Sequence, residues 1–260
     1  MESRRPPSRL SPDARAALAP YGARAQWPAG FTIYQRGTPA DGLFVVLAGR
    51  VVLRSRVKAG RGFVPGLAVA GETFGAEGLT ARARYATDAR AEEASETLHV
   101  SGAALRSFLR EQPMFGQAVL GQVMAERTEM LDKLRELATL SVEERLLASM
   151  VRLAERAPAP PPLADRAPAS GDARAAGAPL VLGPGEYRLL CELVGATRES
   201  VSLVFTRLAA AGLVERDGAN YLVRDIPALD RRLGAVWQEA DAGVPVAREP
   251  GAGAGRAALL

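Results

Sequence analysis

Glycine divides the N-terminal part of this chain into short segments. Runs rich in β-branched and aromatic residues, such as FTIY, LFVVLAG and RVVLRSRV, alternate with turn residues between residues 26 and 100. The glycines of this stretch are Gly30, Gly37, Gly42, Gly49, Gly60, Gly66, Gly71, Gly75 and Gly78. Short runs of this composition between turn residues are typical of antiparallel strands. We therefore predict a small antiparallel β-roll, jelly-roll-like in form, over residues 26–110.

A long helix with an apolar stripe is predicted next, within residues 111–140. Residues 117–140 contain few helix breakers, and selected residues recur at alternating spacings of four and three, as in a coiled-coil seam. The seam positions are Leu120, Met124, Arg127, Leu131, Leu134 and Ala138. Charged residues surround the stripe and suit water, which favours a dimerisation helix. The alternative is that the stripe packs on its own domain.

A further helix is predicted to begin directly after the long one. Glu144 follows Ser141 by three residues, which is the spacing of a capping box at a helix N-terminus. We expect this helix to end near residue 155 and to open a C-terminal domain over residues 141–240. The fold class is therefore α+β.

Three segments are expected to lie outside the packed domains. Residues 156–180 and the tail 241–260 are rich in Pro, Ala and Gly, and such sequences bury too little apolar surface to become ordered. The GAGAG of the tail follows no predicted strand, so we do not interpret it as a phosphate-binding loop. Residues 1–25 are expected to be flexible or partly helical.

The C-terminal domain has the pattern of a helix-turn-helix with a wing. GEYRLLCELVGA reads as a short helix, Gly195-Ala196 as a tight turn, and Thr197 as the N-cap of a second helix that ends near Gly212. LVERDGANYLV then predicts a hairpin that turns at Asp217-Gly218. The second helix places four apolar residues on one face, namely Val201, Val204, Phe205 and Leu208, and its polar residues elsewhere.

Composition narrows the classes of function. The chain has 260 residues, a formal net charge of +4, one cysteine and one histidine. A single thiol cannot hold an iron-sulfur cluster, and no catalytic or metal-ligating constellation is present. We expect Cys191 to be a core residue and His99 a structural one. No apolar run is long enough to span a bilayer, so we expect a cytoplasmic protein that is not an enzyme and has no cofactor, metal or membrane partner.

Two stretches of this chain resemble the Crp/Fnr superfamily of transcription regulators. LVGATRESVSLVFTRLAAAGLVERDG is similar to the superfamily's recognition motif, and GFTIYQRGTPADGLFVVLAGRVVL is similar to its cyclic-nucleotide-binding β-roll. The order of roll, long helix and winged helix-turn-helix also matches, over about residues 26–221. The segment 156–180 departs from the pattern as an insertion. The resemblance implies a homodimer that binds a near-palindromic site in double-stranded DNA, with RNA polymerase as a candidate partner.

The resemblance also implies roles for residues at the start of the second helix. The arginine at the position of Arg198 reads guanine and the glutamate at that of Glu199 accepts from cytosine, which suits a guanidinium fork and a carboxylate. The alternative for Glu199 is a carboxylate that stabilises the helix dipole. Where some relatives have a further arginine, this chain has Leu203. The remaining assignments are Ser202 to bases, and Thr197, Ser200 and Arg207 to phosphates.

The effector is less well defined by the resemblance. Relatives that bind cyclic AMP use a Gly-Glu pair, an Arg-Ser pair and a Thr-Ser pair from the long helix. The corresponding residues here lack those polar groups, and a buried polar group without a partner costs about 1–3 kcal/mol. We therefore expect that cyclic AMP is not required and leave a different small-molecule effector open. The candidate pocket residues are Gly75, Ala76, Arg84 or Tyr85 in the place of the arginine, Met130 and Leu131.

Two hypotheses follow for the function. The favoured one is a sequence-specific DNA-binding regulator. The rival is a sensor of a cyclic nucleotide or another small ligand, whose C-terminal domain docks a protein partner. Between residues 181 and 240 the arginines are matched by acidic residues, so DNA affinity would depend on where the arginines lie. Arg82 and Arg84 are a candidate anion site, with a solvated loop as the alternative.

Overall fold

The computed structural model describes residues 9–56, 62–156 and 179–242, which form an α+β protein. Most of the predicted insertion at 156–180 and of the predicted tail at 241–260 lies outside these residues. At their edges, Arg156 is helical, Leu180 lies in a strand, and residues 241–242 belong to a helix. Both ends of the first segment and the first two residues of the second therefore have regular structure.

Two antiparallel four-stranded sheets build the N-terminal β-roll, which confirms the predicted architecture. Their orders are β1-β8-β3-β6 and β2-β7-β4-β5. The strands are β1 (Ala23–Trp27), β2 (Thr32–Tyr34), β3 (Gly42–Ala48), β4 (Arg50–Arg56), β5 (Gly62–Val69), β6 (Thr73–Phe74), β7 (Asp88–Ala91) and β8 (Ser95–Ser101). β1 begins inside the segment 1–25 that we expected to be flexible or partly helical.

One glycine of the roll shows why glycines separate its strands. Gly49 joins β3 to β4 with a φ of +81°, in the left-handed region that favours glycine. A Cβ atom at this position would lie 2.4 Å from the Ser95 hydroxyl oxygen. The turn can therefore be this tight only with a glycine.

Three helices flank the roll. They are α1 (Pro12–Leu18), α2 (Gly102–Glu111) and α3 (Gly116–Thr139). Ser11 caps α1, and Leu18 packs into the roll's core. A 3₁₀ turn at Pro113–Phe115 separates α2 from α3, so the long helix begins at Gly116. Among the described residues, no helix is both long and apolar enough to cross a membrane.

The C-terminal domain contains four helices and a small sheet. The elements are α4 (Val142–Arg156), β9 (Leu180–Leu182), α5 (Pro184–Val194), α6 (Arg198–Ala210), β10 (Glu215–Asp217), β11 (Asn220–Val223) and α7 (Ile226–Ala242). The predicted capping box is confirmed, since the Ser141 N–H donates to Glu144 Oε2 at 2.7 Å and the Glu144 N–H donates to Ser141 Oγ at 3.3 Å. Strands β10 and β11 form the predicted hairpin, and β9 pairs with the other edge of β11.

The C-terminal domain packs against the roll through one continuous core. Val52, Val64 and Leu67 of β4 and β5 belong to the same buried cluster as residues of α4, α5 and α6. Ion pairs border this cluster, with Arg54 Nε 2.9 Å from Glu192 Oε2 and Arg50 Nη2 3.3 Å from Glu186 Oε1. Helix α5 is therefore held against strand β4.

Candidate nucleic-acid interface

Helix α6 begins at the cap that the sequence predicted. Gly195 ends α5 with a φ of +65°, and its N–H donates to the Cys191 carbonyl oxygen at 3.1 Å. The Thr197 hydroxyl then accepts from the Ser200 N–H at 3.3 Å. This bond satisfies one of the free N–H groups of the first helical turn. The predicted turn and N-cap are confirmed.

The two faces of α6 differ as predicted. Val201, Val204, Phe205 and Leu208 are buried and anchor the helix in the core of the domain. The outer face is exposed and carries most of the residues assigned to DNA. Those exposed residues are Thr197, Arg198, Glu199, Ser202 and Arg207, while Ser200 is half-buried beside the cap.

Glu199 is held in its ionised form at the start of α6. Its own backbone N–H and then the Thr197 hydroxyl donate to the carboxylate, and these bonds lower the pKa of Glu199. An ionised carboxylate only accepts hydrogen bonds, so on this surface it can pair with an exocyclic amino group of a base. The geometry is equally that of a carboxylate at the positive end of a helix dipole.

A cleft beside the start of α6 contains residues that the sequence did not single out. It has a volume of about 440 Å³ and lies between α5, α6 and the β10-β11 hairpin. Three guanidinium groups form its charged lining, and two tyrosines, a proline and an alanine form the rest. The lining residues are Pro184, Tyr187, Arg188, Arg198, Arg216, Ala219 and Tyr221. The chemistry of this cleft suits a phosphate group.

Contacts between aromatic rings join α5, α6 and the hairpin, which are the elements around the cleft. Phe205 of α6 packs on Tyr221 of the hairpin with a centroid distance of 4.4 Å, and Tyr187 of α5 packs on Tyr221 at 5.8 Å. Each ring comes from a different element, so no local sequence pattern joins them.

The candidate effector residues are not gathered into one pocket of the described chain. Gly75 is buried with a φ of +75°, and Ala76 follows it in a 3₁₀ turn. Tyr85 points inward and stacks on Tyr34 with a centroid distance of 3.7 Å. Arg84 is exposed, and its guanidinium group donates to the Gly37 carbonyl. Met130 and Leu131 are exposed on α3, which leaves their assignment as a prediction.

The Glu77 carboxylate bonds to the backbone next to Tyr85. The Ala86 N–H donates to Glu77 Oε1 at 3.0 Å, so this backbone donor is already occupied. Burial, followed by repulsion from Glu77 and Glu129, raises the pKa of Glu126 on α3 to about 7. Burial, followed by repulsion from Glu77 and to a smaller extent from Glu126, raises the pKa of Tyr34. The Glu77 carboxylate in this region disfavours an anionic ligand.

Helix α3 uses two different faces. Val119, Gln122, Lys133 and Glu136 are buried on one face against the same chain. All six residues of the predicted seam are exposed on the other face, including Leu120 at 61% and both Leu131 and Leu134 at 56%. The stripe therefore does not pack on its own domain, which was the alternative interpretation.

Cys191 and His99 have the structural surroundings that we expected. Cys191 is buried in the core of the C-terminal domain, and burial raises the pKa of its thiol. His99 lies on β8, and its ring packs against Phe44 with a centroid distance of 4.6 Å. Within the described residues, no group of three or more His, Cys, Asp or Glu side chains is arranged to hold a metal ion.

Comparison with protein families places two domains on this chain. A family model described as a cyclic nucleotide-binding domain matches residues 24–112. A second family model, described as a Crp-like helix-turn-helix domain, matches residues 144–232. The first match covers the β-roll and α2, and the second covers the C-terminal domain from α4 into α7.

Individual relatives agree with these domains. The chain is 25% identical over 230 residues to the CRP-like cAMP-activated global transcriptional regulator of Mycobacterium tuberculosis, an alignment that covers 86% of this chain and 93% of the relative. A CRP/FNR-family regulator from Thermus thermophilus has the same fold, with a TM-score of 0.64 at 21% identity, covering 82% of this chain and 98% of that one. FixK2 from Bradyrhizobium japonicum also has this fold, with a TM-score of 0.63 at 17% identity. That alignment covers 81% of this chain and 96% of FixK2.

Proposed function

Because this chain belongs to the Crp/Fnr superfamily of transcription regulators, we propose that it binds a near-palindromic operator as a homodimer, without requiring cyclic AMP. The observation that carries this proposal is the outer face of α6, where the Thr197 cap presents Arg198 and Glu199 to solvent. The buried opposite face fixes the direction in which these side chains point.

The residues of this face divide by chemistry. Arg198 suits the O6 and N7 acceptors of guanine, and Glu199 suits the N4 donor of cytosine, with Ser202 on the same face. Thr197, Ser200 and Arg207 suit phosphate oxygens, which fix register but carry no sequence information. We propose that Arg216 in the cleft adds a further phosphate contact. Positive charge is then concentrated on the surface around α6, although the domain is not basic overall.

The exposed stripe of α3 supports the homodimer. Five large apolar residues of α3 are exposed, and four of them lie on the predicted seam, which is an arrangement that a partner helix would cover. A two-fold dimer would place its two recognition helices about 34 Å apart, in successive major grooves of one face of B-DNA. The operator would therefore consist of two similar half-sites one helical turn apart.

Independence from cyclic AMP is supported by the interior of the roll. The mycobacterial relative is described as cAMP-activated, but this chain has Ala76 where cAMP-binding members have a carboxylate. Tyr85 fills the adjacent space by stacking on Tyr34, and Glu77 occupies the Ala86 N–H. A ligand shifts a conformational equilibrium only by its differential affinity for the two states, and this interior offers cyclic AMP few polar partners.

Two further assignments follow from the proposed role. A regulator that binds an operator acts on transcription, so RNA polymerase is the candidate protein partner. It acts in the compartment that holds the DNA, which for this superfamily is the cytoplasm. A small-molecule effector other than cyclic AMP is left open by the same reasoning.

The experiment that tests the function begins with selection of bound sequences from a random DNA library. On the selected operator, Arg198→Ala should cost about 1–3 kcal/mol and relax the preference at one guanine in each half-site. Arg207→Ala and Arg216→Ala should instead weaken binding to all sequences alike. Each should reduce the slope of log K against log salt by about one unit.

Arg224→Ala is the matched control because Arg224 is an exposed arginine of the same domain whose Nε already pairs with Glu215 Oε2 at 2.9 Å. It should leave the base preference unchanged and should reduce the slope by less than Arg207→Ala does. If Arg198→Ala leaves affinity and base preference unchanged, the outer face of α6 does not read DNA and the proposal is wrong.

A further inference from the structure

The outer face of α6 carries one large apolar side chain among polar ones. Leu203 is 61% exposed, whereas the other large apolar residues of this helix are buried in the core. It follows Glu199 by four residues and precedes Arg207 by four, so the three side chains lie along one face of the helix. Leu203 is therefore part of the surface that we propose to enter the major groove.

The major groove restricts what an apolar side chain can recognise. The base edges there present hydrogen-bond donors and acceptors, together with one apolar group, the C5-methyl of thymine. A leucine can form no hydrogen bond with a base, and it leaves a donor or acceptor of the base without water when it covers one. Contact with a methyl group removes apolar surface from water on both partners.

We propose that Leu203 is a specificity-determining residue that selects a thymine in each half-site by packing against its methyl group. This inference rests on the proposed function, because it requires α6 to lie in the major groove. It adds a base preference that neither Arg198 nor Glu199 supplies. Leu203 also carries no charge, so its contribution to affinity is independent of salt, unlike that of a guanidinium group at the same position.

Uracil provides a direct probe because it differs from thymine only by the methyl group. We replace the contacted thymine by deoxyuridine in one half-site of the selected operator. This change should weaken binding of the wild type about fourfold, which is the effect of leaving one methyl-sized group unburied. Leu203→Ala should bind the thymine and uracil operators equally. In a library selection, Leu203→Ala should lose the thymine preference and keep the guanine preference that depends on Arg198.

Val181→Ala is the matched control because Val181 is an exposed apolar residue of the same domain, on β9, at 49% exposure. It should retain the full difference between thymine and uracil. Leu203→Met, which keeps an apolar side chain of similar size, should retain most of it.

The outcomes separate this inference from the function itself. Suppose that the wild type binds every uracil-substituted operator as tightly as the thymine operator. Leu203 then contacts no methyl group, and the inference is overturned. The function still stands in that case if Arg198→Ala alters the base preference. If the wild type selects no sequence from the library, the inference and the function both fail.

Discussion

Ala76 is the residue that most changes what the β-roll can bind. A methyl group cannot accept a hydrogen bond from a ribose hydroxyl, and the neighbouring Tyr85 ring is stacked on Tyr34 in place of a free cationic side chain. The Glu77 carboxylate lies in the same region, where its Oε1 accepts from the Ala86 N–H at 3.0 Å. We propose that these residues disfavour an anionic nucleotide in three ways: Ala76 accepts no hydrogen bond, the Tyr85 ring fills space, and the Glu77 carboxylate repels the phosphate.

Operator affinity is therefore expected to change by less than about twofold when cyclic AMP is added at millimolar concentration. Fluorescence anisotropy on the selected operator would measure this. The mycobacterial relative, which is described as cAMP-activated, is the positive control on its own operator. A tenfold or larger rise in affinity of this protein at micromolar cyclic AMP, about 1.4 kcal/mol, would contradict the prediction.

At the same scale, the sequence predicted the buried and exposed faces of α6 but did not predict the cleft beside the helix. The cap at Thr197 and the burial of Val201 and Leu208 follow from local spacing, because a helix repeats every 3.6 residues. Whether Arg84 or Tyr85 points inward depends on the pairing of distant strands, so the sequence left both open. Arg216 reaches the cleft through tertiary contacts of the wing, which no local pattern encodes.

A buried cluster of charged side chains holds α3 and α4 together as a helical hairpin, and we call this cluster the clamp. Glu136 is 1% exposed, and its two carboxylate oxygens accept from the two terminal nitrogens of Arg152 on α4. Lys133 Nζ lies 3.4 Å from the same carboxylate. Burial alone would raise the pKa of Glu136, but hydrogen bonds and attraction from Arg152, and then Lys133, hold it below its ordinary value. The bend between the two helices therefore depends on this carboxylate.

Glu136→Ala should destabilise the protein by roughly 3–5 kcal/mol, because it leaves the buried Lys133 and the half-buried Arg152 without a counter-charge. Urea unfolding followed by circular dichroism would measure the loss. Glu215→Ala is the control, since its pair with Arg224 is more than half exposed on both sides, and such pairs contribute about 0–1 kcal/mol. Equal losses in the two variants would show that the cluster does not clamp the hairpin.

The pH dependence of this clamp has a definite sign. The folded pKa of Glu136 lies below its ordinary value of 4.5, so its stabilisation is complete above about pH 4.5 and is lost as the pH falls through the lower folded value. The difference in stability between the wild type and Glu136→Gln should therefore shrink on acidification below pH 4.5.

Elements with a strong local signal were predicted, and those stabilised mainly by packing were not. The capping box at Ser141 placed the start of α4, and glycine spacing placed the strands of the roll. Strand β9 has three residues and is paired only through β11, so it has too little periodicity to be recognised. Helix α7 was not predicted either, although Leu229 and Leu233 anchor it in the domain core.

The whole molecule is more integrated than its sequence suggests. The order of roll, long helix and winged domain could be predicted, but the packing of α5 on β4 could not, because it joins residues more than a hundred positions apart. Arg156 connects the same parts, since it bonds Glu129 of α3 at 2.7 Å and Glu72 of the roll at 3.3 Å. Movement of the DNA-binding domain must therefore break both an apolar core and ion pairs.

The stripe of α3 remains exposed in this packing, and we propose that a second copy docks on it. Replacing Leu131 and Leu134 together by Asp should give monomers, since a dimer seam would then bury four carboxylates without partners. Analytical ultracentrifugation would measure the change in mass. Thr128→Asp is the control, because it introduces the same group at an exposed position of α3 outside the six stripe residues and should remain dimeric.

DNA binding should fall together with dimerisation. A monomer contacts one half-site, and the second half-site then adds nothing to its affinity, so the double variant should bind the full operator about as weakly as a single half-site. The wild type should prefer the full operator to a half-site by a factor of about 100 or more. Dimers of the double variant in sedimentation, with undiminished operator affinity, would show that α3 is not the dimer seam.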